Sequence, residues 1–138
     1  MRAVVSRFGS GHFQQALEVG SDHFVSDVDQ EKGGNSTGPS PHEYLGAALA
    51  ACTGMTLKMY AGRKSWDLQD AIVTVDILRA DEVEIFKRTI QLLGNIDAEQ
   101  RERLLEIANK CPVHKALAGK IEIQTILNKN APNRCISG

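Results

Sequence analysis

The start of one long helix is the feature that most constrains how this chain can fold. Ser40 stands at an N-cap position, Pro41 follows as the first helical residue, and Glu43 completes a capping box. The residues that follow are rich in alanine and leucine, and they predict a helix over residues 41 to about 63. The rest of the fold must therefore cover one side of this helix.

The face that this helix buries can be predicted from the angular spacing of its residues, about 100° each. Counted from Cys52, one stripe within about 60° holds Leu45, Ala48, Leu49, Met55, Thr56 and Met59. We therefore expect Cys52 to lie in the middle of the buried face. The simplest interpretation of a free cysteine there is a small, well-packed apolar residue.

Strands are predicted on both sides of the helix. Glycine-containing turns separate predicted strands over residues 2–7, 12–19 and 23–28, and alternating apolar residues predict a hairpin of strands over residues 68–79 and 83–93. A last strand is predicted over residues 120–127. Residues 29–39 contain Gly, Asn, Ser and Pro without periodicity and read as a loop, and residues 128–138 read as an irregular tail.

Two shorter helices complete the predicted elements. Asp97 with Gln100 marks a second capping box, and Pro112 and Gly119 bound a short third helix. Strands and helices that do not alternate strictly predict an α+β fold with mainly antiparallel sheet. A chain of 138 residues is the size of one domain, so we expect a single domain over residues 1–138.

Composition limits the classes of partner and of site. Lys and Arg number 16 against 17 Asp and Glu, for a net charge of −1, which favours neither nucleic acid nor an anionic membrane. No signal-peptide or membrane-spanning pattern is visible, and a cytoplasmic protein is expected. Three cysteines, an odd number, leave metal binding, catalysis or simple burial as their roles.

Cys111 has the sequence context of a reactive thiol. It precedes the short third helix at the N-cap, with Lys110, His114 and Lys115 nearby, and these features favour a thiolate. The alternative is a simple cap or turn residue.

Cys111 and His114 also have the spacing of half a zinc site, which Cys52 and His42 would complete. Cys135, in the polar tail, is interpreted as a bystander.

Two charged residues are further candidates, each with a plain structural alternative. Glu43 points away from Cys52 by the angular count and is explained by the capping box alone. Arg7 has a guanidinium group suited to holding a peroxide oxygen or a carboxylate, although a lone arginine on a strand is usually solvated.

Two segments together resemble the OsmC/Ohr family, and in particular its OsmC-like branch. They are GPSPHEYLGAALAACTGMT at residues 38–56 and NKCPVHKAL at residues 109–117. A proline-containing helix start, an Ala-rich run into the first cysteine, and a second Cys-Pro about sixty residues later form a specific combination. The resemblance extends over residues 22–127.

The resemblance implies a two-cysteine peroxidase and an intertwined homodimer with an active site at each subunit interface. Cys52 would attack an alkyl or lipid hydroperoxide, Cys111 would resolve the sulfenic acid as a disulfide, and a lipoyl-type dithiol would restore the thiols. Glu43 is the third catalytic candidate. Independently of the resemblance, the guanidinium group of Arg7 and the apolar side chains of Leu49 and Met55 make these three residues the substrate-binding candidates. No cofactor or metal is required.

Two other functions stay open at the level of sequence. In the hydroperoxide-resistance branch a glutamate stands ten residues before the first cysteine, and this chain has His42 there. That departure favours a redox sensor or a ligand-binding protein with negligible turnover. A structural zinc protein that uses Cys111 and His114 is the third interpretation.

Overall fold

A long helix organises the computed structural model, which describes residues 1–128. Helix α1 spans Pro41–Lys64. The Ser40 side chain accepts a hydrogen bond from the Glu43 backbone N–H at 3.2 Å, and Glu43 Oε1 accepts one from the Ser40 N–H at 2.8 Å. Both halves of the predicted capping box are therefore present, and the predicted start of the helix is confirmed.

Two separate antiparallel sheets flank α1 in sequence. The first has the order β1-β2-β3, and the second is the hairpin β4-β5. The strands are β1 (Val4–Phe8), β2 (Gln15–Val19), β3 (Asp22–Ser26), β4 (Asp67–Ala80) and β5 (Val83–Asn95). Asp81 and Glu82 form the β4-β5 turn with φ of 50° and 64°. Positive φ at both residues matches the twist of the paired strands.

Two helices follow the hairpin. Helix α2 spans Ala98–Ala108 and begins with the capping box of Asp97 and Gln100, and α3 spans Pro112–Ala118 with Cys111 as its N-cap. Mixed helices and antiparallel sheets confirm the predicted α+β class. Among residues 1–128, no helix is both long and apolar enough to cross a membrane.

The main core lies where α1 and α2 pack on the β4-β5 hairpin. Its buried members are Leu57, Ile96, Leu104, Ile107 and Ala108. A side chain at Gly46 would stand 3.1 Å from Ile77 Cδ1, so the glycine allows the helix to approach β4 closely. Burying this apolar surface stabilises the hairpin against the two helices.

The prediction of the buried face of α1 is wrong. The face that the structure buries is rotated from the predicted face by about 100°, the angle between two consecutive helical residues. Its buried residues are Gly46, Leu49, Thr53, Leu57 and Ala61. Cys52 lies beside this stripe and is half-buried, while Leu45, Met55 and Met59 are 43%, 60% and 62% exposed. The helix is apolar on more than one side, and the side that contains small residues packs closest to β4.

Two further predictions need correction. Residues 120–127 form no strand: Ile121, Ile123 and Ile126 are exposed, and no strand of residues 1–128 pairs with them. A strand requires a neighbour for its backbone hydrogen bonds, and the described part of the chain supplies none here.

The predicted loop 29–39 contains one 3₁₀ turn at Gln30–Lys32. Cys135 and the tail from residue 129 lie outside the described residues.

Candidate active site

The two candidate cysteines, 59 positions apart in sequence, meet beside α1. Cys52 is half-buried on α1, whereas Cys111 is completely buried at the start of α3. The Cys52 side chain interacts with the Cys111 thiol. Both thiols are free. The fold therefore brings the two thiols into interaction, which the sequence alone could not establish.

The surroundings of Cys111 favour its ionised form. Burial raises the pKa of the thiol, but hydrogen bonds from the His114 backbone, the Cys52 side chain, the Thr53 hydroxyl and the Val113 backbone lower it, and the net pKa is below the ordinary value. The His114 N–H donates to Cys111 Sγ at 3.3 Å. This agrees with the thiolate environment predicted for Cys111 from its sequence context.

Thr53 connects the thiol pair to a neighbouring arginine. Its hydroxyl lies 2.7 Å from the Leu49 carbonyl oxygen and 3.9 Å from Cys111 Sγ, and Arg88 Nη1 donates to it at 3.0 Å. A hydroxyl has one proton, so it can donate to only one of its two acceptors at a time. Proton loss from Cys111 makes the sulfur the stronger acceptor.

Arg88 and its partners are the part of this region that the sequence analysis missed. Arg88 Nη2 donates to Asn109 Oδ1 and lies 2.9 Å from His114 Nδ1. The available signal was the alternation of β5, which places Arg88 on the same inward side as Phe86 and Ile90. An arginine on the apolar face of a strand usually has a specific partner.

Glu43 and His42 lie away from the thiols within the chain. The Glu43 carboxylate is held in the capping box, and its side chain borders a depression beside β4 with Ala50 and Val75. His42 Nε2 lies 2.7 Å from Glu84 Oε1 near the surface. Neither contact extends to Cys52, so a catalytic role for Glu43 stays a prediction.

The three candidate substrate-binding residues are spread over different surfaces. Arg7 is exposed on β1 and makes no side-chain hydrogen bond or ion pair within residues 1–128. Met55 is 60% exposed on α1, whereas Leu49 is buried and lines a groove that also contains Arg88. The structure brings Leu49 near the site, whereas Arg7 lies on β1 of the sheet β1-β2-β3.

The residues of the zinc alternative do not form a cluster. Within residues 1–128, no group of three or more His, Cys, Asp or Glu side chains is placed to hold a metal ion. His114 instead interacts through Nδ1 with Arg88, and a cation at this position opposes metal binding.

Comparison with known protein families identifies one match. The model of the family described as OsmC-like protein matches residues 33–126, which is more than half of the chain. No curated protein sequence shows a significant match.

Solved structures share this fold at low sequence identity. An OsmC-like protein from Mycoplasma pneumoniae has a TM-score of 0.73 at 15% identity, covering 86% of this chain and 88% of that chain. An organic hydroperoxide resistance protein OsmC from Legionella pneumophila has a TM-score of 0.60 at 21% identity, covering 86% and 90%. An organic hydroperoxide resistance protein from Elizabethkingia anophelis has a TM-score of 0.66 at 18% identity, covering 88% and 91%.

Proposed function

Because the chain belongs to the family of OsmC-like proteins, we propose that it is a thiol-dependent peroxidase that reduces alkyl or lipid hydroperoxides through Cys52 and Cys111. The observation that carries the proposal is the contact between a half-buried Cys52 and a buried Cys111 whose pKa is lowered. The structural relatives named as hydroperoxide resistance proteins support the substrate class.

The different exposure of the two thiols supports their division of roles. Cys52 can be reached from solvent, so its thiolate is the group that meets a hydroperoxide. The sulfur attacks the outer peroxide oxygen, the O–O bond breaks, and the departing alkoxide takes a proton and leaves as an alcohol. Cys52 is then a sulfenic acid.

The resolving step belongs to Cys111. Its thiolate attacks the Cys52 sulfur, the S–O bond breaks, and the hydroxide takes a proton and leaves as water. Because the pKa of Cys111 is lowered, a larger fraction is thiolate at neutral pH than for an ordinary cysteine. A dithiol of the lipoyl type, oxidised to its own disulfide, then returns both thiols to the reduced state.

A homodimer is part of this proposal. The side of α1 next to Cys52 leaves Leu45, Met55 and Met59 exposed, and residues 120–127 pair with no strand of residues 1–128. An exposed apolar helix face and an unpaired segment with the sequence alternation of a strand are surfaces that a second copy can cover. The cycle would run in the cytoplasm, where thiols are kept reduced.

Peroxide titration of the reduced protein tests the function directly. Cumene hydroperoxide and hydrogen peroxide are added separately, free thiols are counted, and disulfides are mapped by mass spectrometry. Dihydrolipoamide is then added to look for continuous peroxide consumption. We expect a Cys52–Cys111 disulfide and turnover with the organic peroxide.

Three single serine substitutions separate the roles of the cysteines. Cys52→Ser should abolish reaction with peroxide, Cys111→Ser should stop at a sulfenic acid that a dimedone probe traps, and Cys135→Ser is the matched control and should keep turnover. A sulfenic acid that forms first on Cys111 would contradict the assigned roles. Thiols that remain unreactive would contradict the peroxidase itself.

A redox sensor on the same scaffold is the second candidate. The observation that favours it is the position of Glu43, whose carboxylate is held in the capping box on the β4 side, distant from Cys52 within the chain. A sensor would form the same disulfide once and would not be recycled by dihydrolipoamide. The titration distinguishes the two, since only the enzyme consumes peroxide in excess of its thiols.

A further inference from the structure

A groove beside the thiol pair contains no group that reacts in the proposed peroxidase cycle, although Leu49, a candidate substrate-binding residue, lines it. Its volume is about 490 Å³, and it lies among α1, β5, α2 and α3. Its apolar wall consists of Leu49, Phe86, Ile90, Leu105 and Leu117. Neither Cys52 nor Cys111 lines it. Grooves of this size with apolar walls and a few polar groups are typical of small-molecule sites.

The polar end of the groove carries a positive charge without a negative partner. Arg88 is half-buried, and its side chain bonds to the Thr53 hydroxyl and the Asn109 amide oxygen and lies next to the His114 ring. All three partners are neutral groups in this arrangement, and Arg88 makes no salt bridge within residues 1–128. A half-buried guanidinium without an internal counter-charge is more stable opposite an anion.

His114 adds a second donor at the same end. Arginine can only donate hydrogen bonds, so His114 Nδ1, which lies 2.9 Å from Arg88 Nη2, is the acceptor. In the neutral ring this hydrogen bond requires the proton to be on Nε2. Glu84, at the rim, is 2.7 Å from His42 and does not compensate Arg88.

We propose that this groove binds a small monocarboxylate with an apolar chain. The carboxylate would accept a charge-assisted hydrogen bond from an Arg88 N–H group that Thr53, Asn109 and His114 leave free. The apolar chain would lie along Phe86, Leu105 and Leu117. The ligand is not a reactant of the thiols, so this inference stands independently of the peroxidase proposal.

Binding of decanoate to the intact reduced protein, followed by isothermal titration calorimetry, tests the site. Decanol has the same chain without the charge and is the matched ligand control. We expect one decanoate per chain and at least about tenfold weaker binding of decanol, the effect of one charge-assisted hydrogen bond. Equal affinity for the two ligands would overturn the assignment of the carboxylate to Arg88.

Asn109→Asp is the most specific test of the positive charge in the groove. It keeps the oxygen that accepts from Arg88 and adds an internal negative charge, so it should weaken decanoate binding at least about tenfold and leave decanol unchanged. Gln91→Glu adds the same charge on the exposed side of β5 and should bind decanoate like the wild type. Equal decanoate affinity in both variants refutes the site.

The comparison of decanoate with decanol on the wild-type protein tests the binding site even if a variant does not fold. Residues 120–127 of a second copy are the competing occupant of the groove, since they present Ile121 and Ile123 together with the Glu122 carboxylate. A groove filled in this way would take up no decanoate in the intact protein, and that result would overturn the proposal. Thiol reactivity is measured separately, so loss of either property can be recognised alone.

Discussion

Replacing Thr53 by valine tests whether its hydroxyl connects Arg88 to the thiol pair. Thr53 is completely buried, and its hydroxyl accepts from Arg88 Nη1 at 3.0 Å. Valine keeps the branched shape and removes that acceptor. The bond to the Leu49 carbonyl contributes little to the change, because that oxygen also accepts the helical N–H of residue 53.

The magnitude follows from the partner that is left unsatisfied. A hydrogen bond to a charged group contributes about 1.5–3 kcal/mol, and Arg88 recovers part of this from water because it borders an open groove. We therefore expect Thr53→Val to lower the free energy of unfolding by about 1–2 kcal/mol. The variant should also raise the pKa of Cys111, since the hydroxyl is one of the groups that lower it.

Urea unfolding measures the stability change, and the ultraviolet absorbance of the thiolate against pH measures the pKa in a Cys52→Ser, Cys135→Ser background. Thr56→Val is the matched control, because Thr56 is half-buried on the same helix and its side chain makes no hydrogen bond within residues 1–128. Equal stability losses for the two valine variants, or an unchanged pKa of Cys111, would refute the reasoning.

Three further changes have expected outcomes. Leu57→Ala, at a fully buried core position, should lower the free energy of unfolding by about 2–5 kcal/mol in urea denaturation. Ser40→Ala removes the N-cap acceptor of α1 and should cost about 1 kcal/mol in the same measurement. Asp27 has a pKa lowered first by the Thr37 hydroxyl, so its stabilising effect is complete above the unfolded-state pKa of about 3.9 and is lost as pH falls through the lower folded-state pKa. Asp27→Asn should therefore reduce the fall in the melting temperature Tm that the wild type shows as pH is lowered through this range.

Each of these three substitutions has a control, which is the same replacement at an exposed residue. Leu105→Ala, at a residue 61% exposed, should cost less than about 1 kcal/mol, and equal losses for the two leucines would contradict the assigned core. Ser10→Ala removes an exposed hydroxyl that caps no helix, and an equal effect there would contradict the capping argument. Asp76→Asn should leave the fall in Tm at low pH unchanged, and a reduction as large as that of Asp27→Asn would contradict the role of Asp27.

The elements that the sequence predicted well are those whose signals are local. Ser40, Pro41 and Glu43 define the start of α1 within four residues, and the β4-β5 hairpin follows from alternation around one turn. These features depend on bonds between near neighbours. The structure reproduces them with small shifts at the ends of the elements.

The features that were missed depend on contacts between distant segments. The buried side of α1 is decided by the close approach of β4 at Gly46, which the apolar count along the helix does not contain. The partners of Arg88 come from α1 and from the residues around α3, up to 35 positions away in sequence. Residues 120–127 have the alternation of a strand, but no strand of residues 1–128 lies beside them to accept their backbone hydrogen bonds.

The contact between Cys52 and Cys111 also affects the stability of the fold. The main core cluster, Leu57 together with Ile96, Leu104, Ile107 and Ala108, lies wholly between these two cysteines in sequence. A disulfide here would tie a loop of about 60 residues around that core and, by chain entropy alone, would raise the free energy of unfolding by about 4 kcal/mol. The oxidised protein would then resist heat and proteases better than the reduced protein, so each turn of the cycle would alternate between a clamped and a looser form of the same fold.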